Sequence, residues 1–258
     1  MAGGRDGGMH PGGYGGLELP LMGAKGILIT GTDTGVGKTL VGCGIAAALR
    51  RRGLRVGPFK PAETGCEWDP EAKELVPADA KLLREASGTM AALDMICPYR
   101  FRTPVAPCVA ADLEGITLDA WSVQERLMKC YSALSSSHDL VIVESAGGIL
   151  APVAYGFFYE DLARLLHLPV LVVIGSKLGA LNHTLLTMAY LKSLGLEVLA
   201  CVLNHCTSKT SPAIDTNAGA LRKLISAPLF VLPNVAEGNP AKLGREFEEL
   251  ATRLLVGL

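Results

Sequence analysis

The sequence has few aromatic residues, almost no net charge and no long hydrophobic run. Aromatic residues make up 5% of the 258 positions, whereas 49% are hydrophobic. This composition favours Val, Ile and Leu strands packed on Ala- and Leu-rich helices in one large α/β domain. The formal net charge of -1 provides no basic field that would attract nucleic acid. The longest hydrophobic run, residues 168–175, is too short to cross a bilayer, so we expect no membrane partner.

Two further absences concern cysteine chemistry and targeting. The seven cysteines form no Cys-x-x-Cys pair and no His/Cys metal spacing, which predicts buried thiols in a reducing cytoplasm. Residues 1–24 are rich in glycine and lack the apolar core of a signal peptide. We therefore predict a flexible tail over residues 1–24 and a single domain over residues 25–258. A Gly-x-Ser-x-Gly nucleophile turn is also missing.

The most informative stretch is Gly-Ile-Leu-Ile-Thr-Gly-Thr-Asp-Thr-Gly-Val-Gly-Lys-Thr at residues 26–39. An apolar run, a glycine-rich loop and a helical pattern over residues 40–52 predict a strand, a phosphate loop and a helix. Glycines let backbone N–H groups approach phosphate oxygens, and the helix N-terminus favours the anion. We expect Lys38 to reach the outer phosphates and Thr39 to ligate magnesium. The usual spacing requires glycine where Thr32 stands, so an ordinary glycine-rich turn remains the alternative.

Two later strands bring charged residues to the same edge of the predicted sheet. Residues 55–60 are typical of a strand, and Lys60 ends it at the motif Lys-Pro-Ala-Glu-Thr-Gly. Residues 139–148 form another strand, in which Glu144 follows four apolar residues. Ligands of open parallel sheets bind at the carboxyl ends of the strands. Glu144 is therefore a candidate for holding magnesium or its water shell beside the phosphate loop.

Between these strands lie three segments without a strong functional signal. We predict a polar loop over residues 66–77 and a helix over residues 78–87. Asp79 lies in the first turn of that helix, and from the sequence pattern alone it is an ordinary helix-start carboxylate. Residues 96–108 contain three prolines and predict a rigid loop rather than a helix.

The rest of the chain alternates between helices and strands. The strands are apolar throughout, which predicts a mostly parallel sheet covered by helices on both faces, in a single-domain P-loop NTPase fold. The predicted strands are 169–175, 197–203 and 228–232, and the predicted helices are 118–135, 159–166, 213–225, 240–255 and one ending near residue 195.

Four motifs, read together, resemble the dethiobiotin synthetase family. They are Gly-Thr-Asp-Thr-Gly-Val-Gly-Lys-Thr at 31–39, Lys-Pro-Ala-Glu-Thr-Gly at 60–65, Val-Glu-Ser-Ala-Gly-Gly at 143–148 and Gly-Ser-Lys-Leu-Gly-Ala-Leu-Asn-His at 175–183. The resemblance runs from about residue 26 to the last helix, and it accounts for the displaced glycine of the phosphate loop. It implies an ATP- and Mg2+-dependent cyclo-ligase of biotin biosynthesis. Such an enzyme converts 7,8-diaminononanoate and CO2 to dethiobiotin through an N-carbamate and a carbamic-phosphoric anhydride, with release of ADP and phosphate.

The resemblance also implies a role for individual residues. Catalytic roles fall to Thr34, Lys38 and Lys60, and the magnesium-binding positions are Thr39, Asp79 and Glu144. The ATP-binding positions are Gly35, Val36, Gly37, Lys38, Thr39, Leu40, Asp79, Glu144, Gly147, Asn204, His205, Pro233, Asn234 and Val235. The substrate positions are Lys60, Thr64, Gly179 and Asn182. Gly179 and Asn182 resemble residues that reach the substrate carboxylate across a two-fold interface, which implies a homodimer.

Two departures and two rival classes accompany the resemblance. Gly35 replaces a glutamate of some relatives, and Asn217 stands where some relatives have a tyrosine near the partner's substrate tail. The main rival is a partition or septum-placement ATPase switch, which has the same fold. Such proteins carry an extra lysine five residues before Lys38, where this chain has Asp33. A cobyrinate-type amidating synthetase is the nearer rival, but its usual amidotransferase domain has no room in 258 residues.

Overall fold

The computed structural model describes residues 25–205, 211–233 and 247–258. The strands are β1 Lys25–Gly31, β2 Val56–Phe59, β3 Ala62–Thr64, β4 Glu67–Asp69, β5 Glu74–Val76, β6 Tyr99–Phe101, β7 Leu140–Gly148, β8 Pro152–Ala154, β9 Phe157–Phe158, β10 Val170–Gly175, β11 Val198–Asn204 and β12 Leu229–Leu232. The helices are α1 Lys38–Arg51, α2 Ala78–Ser87, α3 Leu93–Ile96, α4 Pro107–Leu113, α5 Ala120–Ser137, α6 Tyr159–Leu165, α7 Ala180–Ser193, α8 Pro212–Leu224 and α9 Glu248–Gly257.

A six-stranded parallel sheet with the order β12-β11-β10-β1-β7-β2 forms the centre of the fold. Side chains of β1 alternate between its two faces. Ile27 and Ile29 join a buried cluster with residues of α1, α2 and α9. Leu28 joins a second cluster with residues of α5, α6, α7 and α8. Both faces of the sheet are thus covered by helices, which confirms the predicted α/β fold and explains why its strands are apolar throughout.

The order of the strands brings distant parts of the chain to one edge. Strand β7 lies between β1 and β2, although it follows both of them in the sequence. In the register of the sheet, Ile29 of β1 is opposite Glu144, and Phe59 of β2 is opposite Val143. The phosphate loop after β1, Lys60 after β2 and Glu144 within β7 are therefore neighbours at the carboxyl edge.

Two predicted loops contain regular structure. Within residues 66–77, β4 and β5 form an antiparallel hairpin in which Trp68 is opposite Leu75. These strands are only three residues long and partly exposed, so they leave no alternating hydrophobic pattern in the sequence. Within residues 96–108, β6 pairs with β3 and α4 begins at Pro107. A proline fits the first turn of a helix because that position needs no N–H donor, so the proline-rich pattern was wrongly interpreted there as loop.

Some predictions lie outside the described residues. These are the flexible tail over residues 1–24 and the first part of the helix predicted over residues 240–255, of which α9 represents the end. Among the described helices, none is both long and apolar enough to span a bilayer.

Candidate active site

The phosphate loop connects β1 to α1 through a left-handed turn. Helix α1 begins at Lys38, and Gly37 is its N-cap residue with φ of 90°. Gly35 has φ of 70°, which also lies in the region that favours glycine. The first backbone N–H groups of α1 have no partner within the helix, so the loop presents donors and a positive helix end to the cleft. This arrangement suits a phosphate group.

Asn204, at the end of β11, forms a hydrogen bond with the phosphate loop. Its Nδ2 donates a hydrogen bond of 3.0 Å to the carbonyl oxygen of Val36. A Cβ atom on Gly37 would lie 2.2 Å from this nitrogen. Asn204 is 2% exposed, so the amide has little room to move away. Glycine at position 37 is therefore required both by its backbone conformation and by the close approach of Asn204.

A cluster of charged and polar side chains lies beside the loop, at the ends of β2 and β7. Lys60 Nζ lies 2.6 Å from Glu144 Oε1 and 2.8 Å from Asp79 Oδ2. The hydroxyl of Thr39 donates to the same Glu144 oxygen at 2.8 Å. Glu144 is fully buried, whereas the side chain of Asp79 is 40% exposed and opens into the cleft. The structure thus brings together Thr39, Lys60, Asp79 and Glu144, four positions predicted from separate parts of the sequence.

The two lysines of the cleft differ in their electrostatic surroundings. Burial by itself lowers the pKa of Lys60, but the charges of Glu144 and Asp79 outweigh it and raise the pKa above its ordinary value. For Lys38, burial is the main cause of a lowered pKa, and the charge of Lys60 acts in the same direction. Within the part of the chain that the structure describes, Lys38 Nζ donates one hydrogen bond, to the carbonyl oxygen of Asp33 at 3.4 Å. A phosphate anion bound beside Lys38 would therefore stabilise the protonated form of its amine, which burial disfavours.

Glu63 is a part of the site for which sequence reasoning gave no role. Its carboxylate accepts hydrogen bonds from the backbone N–H groups of Asp79 and Ala80, at 2.9 and 3.0 Å. The side chain is 6% exposed, and burial raises the pKa of Glu63. Glu63 is contained in the Lys-Pro-Ala-Glu-Thr-Gly motif, but its partners are 16 and 17 residues away, beyond the reach of local capping patterns.

The donor set of this cluster fits a magnesium ion. Mg2+ is bound in proteins through one or two carboxylates, with nucleotide phosphates and water completing its shell. Among the described residues, the buried Oε2 atom of Glu144 finds no hydrogen-bond partner. Glu144, Asp79 and the hydroxyl of Thr39 offer oxygen ligands on one side of the cleft. The described residues contain no group of three or more His, Cys, Asp or Glu side chains that could hold a metal ion, so nucleotide and water would have to complete the shell.

Most of the predicted site residues line one cleft of about 790 Å3. The lining includes the predicted residues Thr34, Gly35, Gly37, Lys38, Thr39, Lys60, Thr64, Asp79, Glu144 and Gly147. Its far wall is built from residues 104–107, at the start of α4 and just before it, and from residues 150–152 after β7. Of these wall residues, 104–106 lie in a loop as predicted, whereas Pro107 begins α4. Val36 and Leu40 belong to the same loop and helix but are not part of the lining.

The remaining predicted residues that the structure describes lie at the same sheet edge, outside this cleft. His205 follows β11 and donates its backbone N–H to the carbonyl oxygen of Leu232, so it lies beside Pro233. Gly179 is the N-cap of α7, and Asn182 lies in the first turn of that helix. Asn234 and Val235 lie outside the described residues.

An exposed ion pair connects the phosphate loop to the loop before α7. Lys177 Nζ lies 2.6 Å from Asp33 Oδ2, and this contact lowers the pKa of Asp33. From the other side, the buried amide of Asn217 donates to the carbonyl oxygen of Lys177 at 3.1 Å. Asp33 and Lys177 are 144 positions apart, so no local sequence pattern predicts their pairing.

A parallel sheet with a phosphate loop at its carboxyl edge makes the chain a P-loop NTPase-fold protein. A sequence model of the AAA domain family matches residues 25–239. Two similar proteins indicate a narrower family than this sequence model does. The chain is 42% identical over 210 residues to the ATP-dependent dethiobiotin synthetase of Anaeromyxobacter dehalogenans, covering 81% of this chain and 90% of that protein. It is 36% identical over 221 residues to the enzyme of the same name from Bacillus licheniformis, covering 85% and 90%. The chain belongs to the dethiobiotin synthetase family.

Solved structures support the fold independently. A plasmid partition protein from Borrelia burgdorferi, crystallised with AMPPNP, superposes with a TM-score of 0.55. The match covers 92% of this chain and 100% of that protein, but the two sequences are only 13% identical. The likeness therefore shows a shared fold and carries no argument about activity.

Proposed function

We propose that this protein catalyses the ATP-dependent closure of a cyclic urea, converting 7,8-diaminononanoate and CO2 to dethiobiotin with release of ADP and phosphate. The observation that carries the proposal is the position of Lys60. Its ammonium group lies between Asp79 and Glu144 and faces the cleft that begins at the phosphate loop. Membership of the dethiobiotin synthetase family supplies the substrate class.

The chemistry explains why two lysines are needed. One amine of the substrate captures CO2 as a carbamate, and a carbamate oxygen then attacks the γ-phosphorus of ATP, so that ADP leaves. The second amine attacks the carbonyl carbon of this mixed anhydride, phosphate leaves and a proton is released. The phosphoryl transfer brings two anions together, so cations must neutralise them and hold them in line. Lys38 serves the ATP phosphates in this proposal, and Lys60 serves the carbamate and the transferred phosphoryl group.

Magnesium would be held by Thr39, Asp79 and Glu144. Bound there, the ion would supply positive charge at the ATP phosphates. The ammonium group of Lys60 is assigned to the carbamate. The hydroxyl of Thr34 is assigned to the same region, because Thr34 lines the cleft from the phosphate loop and its Oγ1 lies 3.8 Å from the Cβ position of Gly147.

The adenine base is assigned to the edge formed by β11 and β12. Asn204 has an amide that can both donate to and accept from a purine, and His205 and Pro233 lie next to it, with Asn234 and Val235 following in the chain. In the described structure the Nδ2 atom of Asn204 is bonded to Val36. The side chain of Asn204 would therefore contact both the adenine base and the phosphate loop.

The substrate's carboxylate end is assigned to Gly179 and Asn182, with Thr64 closer to the reacting amines. Neither Gly179 nor Asn182 lines the cleft of the single chain. A second copy of the chain would bring them to the substrate, so the proposal includes a homodimer. Sedimentation of the purified protein tests this part on its own: a monomer at working concentration would contradict it.

The proposal is tested by the release of phosphate from ATP. Addition of 7,8-diaminononanoate and bicarbonate should start the release, and dethiobiotin should form in equal amount. The alternative, a partition or septum-placement switch, predicts ATP turnover that responds to DNA or to lipid vesicles and ignores the diamine. Phosphate release with such a response, and no cyclic product, would overturn the proposed function.

A further inference from the structure

Helix α2 begins without a capping side chain of its own. Its N-cap residue is Pro77, which has no side-chain oxygen to offer the first backbone N–H groups. The carboxylate of Glu63 fills this role from another part of the chain. Oε1 accepts from the N–H of Asp79 at 2.9 Å, and Oε2 accepts from the N–H of Ala80 at 3.0 Å. A carboxylate at this end also interacts favourably with the helix dipole.

Residues 60–63 hold both the backbone and the side chain of Asp79. Glu63 binds the backbone N–H of Asp79, and Lys60, three residues earlier, binds its carboxylate at 2.8 Å. Lys60 in turn binds Glu144 on β7. The position of Asp79 relative to Glu144 is therefore fixed through residues 60–63 rather than through α2 alone.

Glu63 and Asp79 have different tasks although both carboxylates lie near Lys60. Both oxygens of Glu63 are occupied by backbone N–H groups, and its side chain is 6% exposed. The side chain of Asp79 is 40% exposed and lines the cleft. Glu63 also lines the cleft, but each of its carboxylate oxygens already accepts a backbone N–H group, so it is suited to orient a ligand-binding residue.

We propose that Glu63 is a positioning residue that caps α2 and thereby holds Asp79 in the geometry needed to bind a divalent cation together with a nucleotide. The inference rests on the proposed function only in requiring Mg2+ and nucleotide at Asp79 and Glu144. It does not depend on the identity of the second substrate.

The test measures ADP binding by calorimetry at a series of Mg2+ concentrations. Residues that orient a metal ligand typically change metal affinity on the order of 10- to 100-fold when they are removed. We expect Glu63→Ala to raise the Mg2+ concentration at half-saturation by such a factor, and to leave ADP binding in EDTA unchanged. Glu63→Gln keeps one carbonyl acceptor and should show a smaller increase. Hydrogen exchange of the Asp79 and Ala80 amides should accelerate in both variants.

Asp119→Ala is the matched control because Asp119 also caps a helix, accepting from the N–H of Ser122 at 2.9 Å at the start of α5. It should lower the melting temperature without moving the Mg2+ dependence. In the double variant Glu63→Ala with Asp79→Asn, the Mg2+ dependence should equal that of Asp79→Asn alone, since both changes act through one carboxylate.

The inference is overturned if the Glu63 variants lose stability as Asp119→Ala does while their Mg2+ dependence stays normal. Should Glu63→Ala fail to fold, Glu63→Gln decides by the same comparison. The assay does not involve the diamine. A wild-type protein that binds ADP with Mg2+ but makes no cyclic product would contradict the proposed function and leave the role of Glu63 to be judged by this measurement.

Discussion

Lys60 and Glu144 form a buried ion pair, with Nζ 2.6 Å from Oε1 although the two residues are 84 positions apart. The side chain of Glu144 is fully buried and that of Lys60 is 4% exposed. Little of either side chain is exposed to water, so each charge depends largely on the other and on the polar groups around it. Removing one partner affects both stability and chemistry, and the two effects can be measured separately.

We predict that Lys60→Gln abolishes ring formation while ADP binding is largely retained. The product rate should fall by about 100- to 1,000-fold, the usual effect of removing one group that stabilises charge in a transition state. Stability should also fall, by about 3–5 kcal/mol, because Glu144 is left buried without its counter-charge. Product assays, calorimetry with ADP and urea unfolding measure the three effects.

Lys177→Gln is the control for the effect on stability, since its pair with Asp33 is about half exposed. Such exposed pairs contribute about 0–1 kcal/mol, so this variant should unfold nearly like the parent. Near-normal product formation by Lys60→Gln would show that the role assigned to Lys60 is wrong.

A second prediction compares two glycines of the phosphate loop. Both have positive φ, so alanine at either position should cost about 1–2 kcal/mol in backbone strain. At Gly35 a Cβ atom meets nothing within 4 Å, whereas at Gly37 it lies 2.2 Å from Asn204. Gly37→Ala should therefore be the less stable variant and should also weaken ADP binding. Equal unfolding free energies for the two variants would contradict the described contact with Asn204.

A third prediction concerns the packing of α1 against the C-terminal helix. A Cβ atom on Gly44 would lie 1.9 Å from the ring of Phe247, which is fully buried. We expect Gly44→Ala to destabilise the protein by about 1–3 kcal/mol through overpacking. Gly219, in α8, has open space around its Cβ position. Gly219→Ala should instead stabilise the protein by up to about 1 kcal/mol, the helix propensity gained over glycine. Urea unfolding of both variants checks the opposite signs.

A fourth prediction follows from the ion pair at the other end of the sheet. Hydrogen bonds from Arg55 lower the pKa of Asp139 to about 2, and Arg55 Nη2 lies 2.6 Å from Asp139 Oδ1. Because the folded pKa is below the ordinary value of about 3.9, the pair stabilises the protein above that pH and loses its effect as the pH falls through about 2.

Asp139→Asn should therefore be less stable than the parent near neutral pH, and the difference should shrink as the solution is acidified below about pH 4. Unfolding midpoints measured across this range give the difference directly. In an Arg55→Gln background the same substitution should show a much weaker pH dependence. A difference that is constant with pH would contradict the prediction.

Features set by local sequence were predictable, whereas those set by distant contacts were not. Helix α2 has the predicted bounds, because Asp79 in its first turn and Gly88 just after its end are local signals. The sequence pattern around Asp79 does not place it in the site, because its contact with Lys60 forms only when the chain is folded. The cap provided by Glu63 was missed for the same reason. The hairpin of β4 and β5 was missed because its short, partly exposed strands have no hydrophobic period.

The insertion of β7 between β1 and β2 has a consequence for how the protein folds. Thr39 and Glu144 form a hydrogen bond although they are 105 positions apart. In a growing chain, the phosphate loop and Lys60 are therefore synthesised long before β7, the strand that lies between β1 and β2. Contacts of such sequence separation require closure of long loops and form slowly. During synthesis or refolding, the proposed binding of Mg2+ and nucleotide should therefore appear late, together with the amide protection of β7. Nucleotide binding would thus report that β7 has paired with β1 and β2.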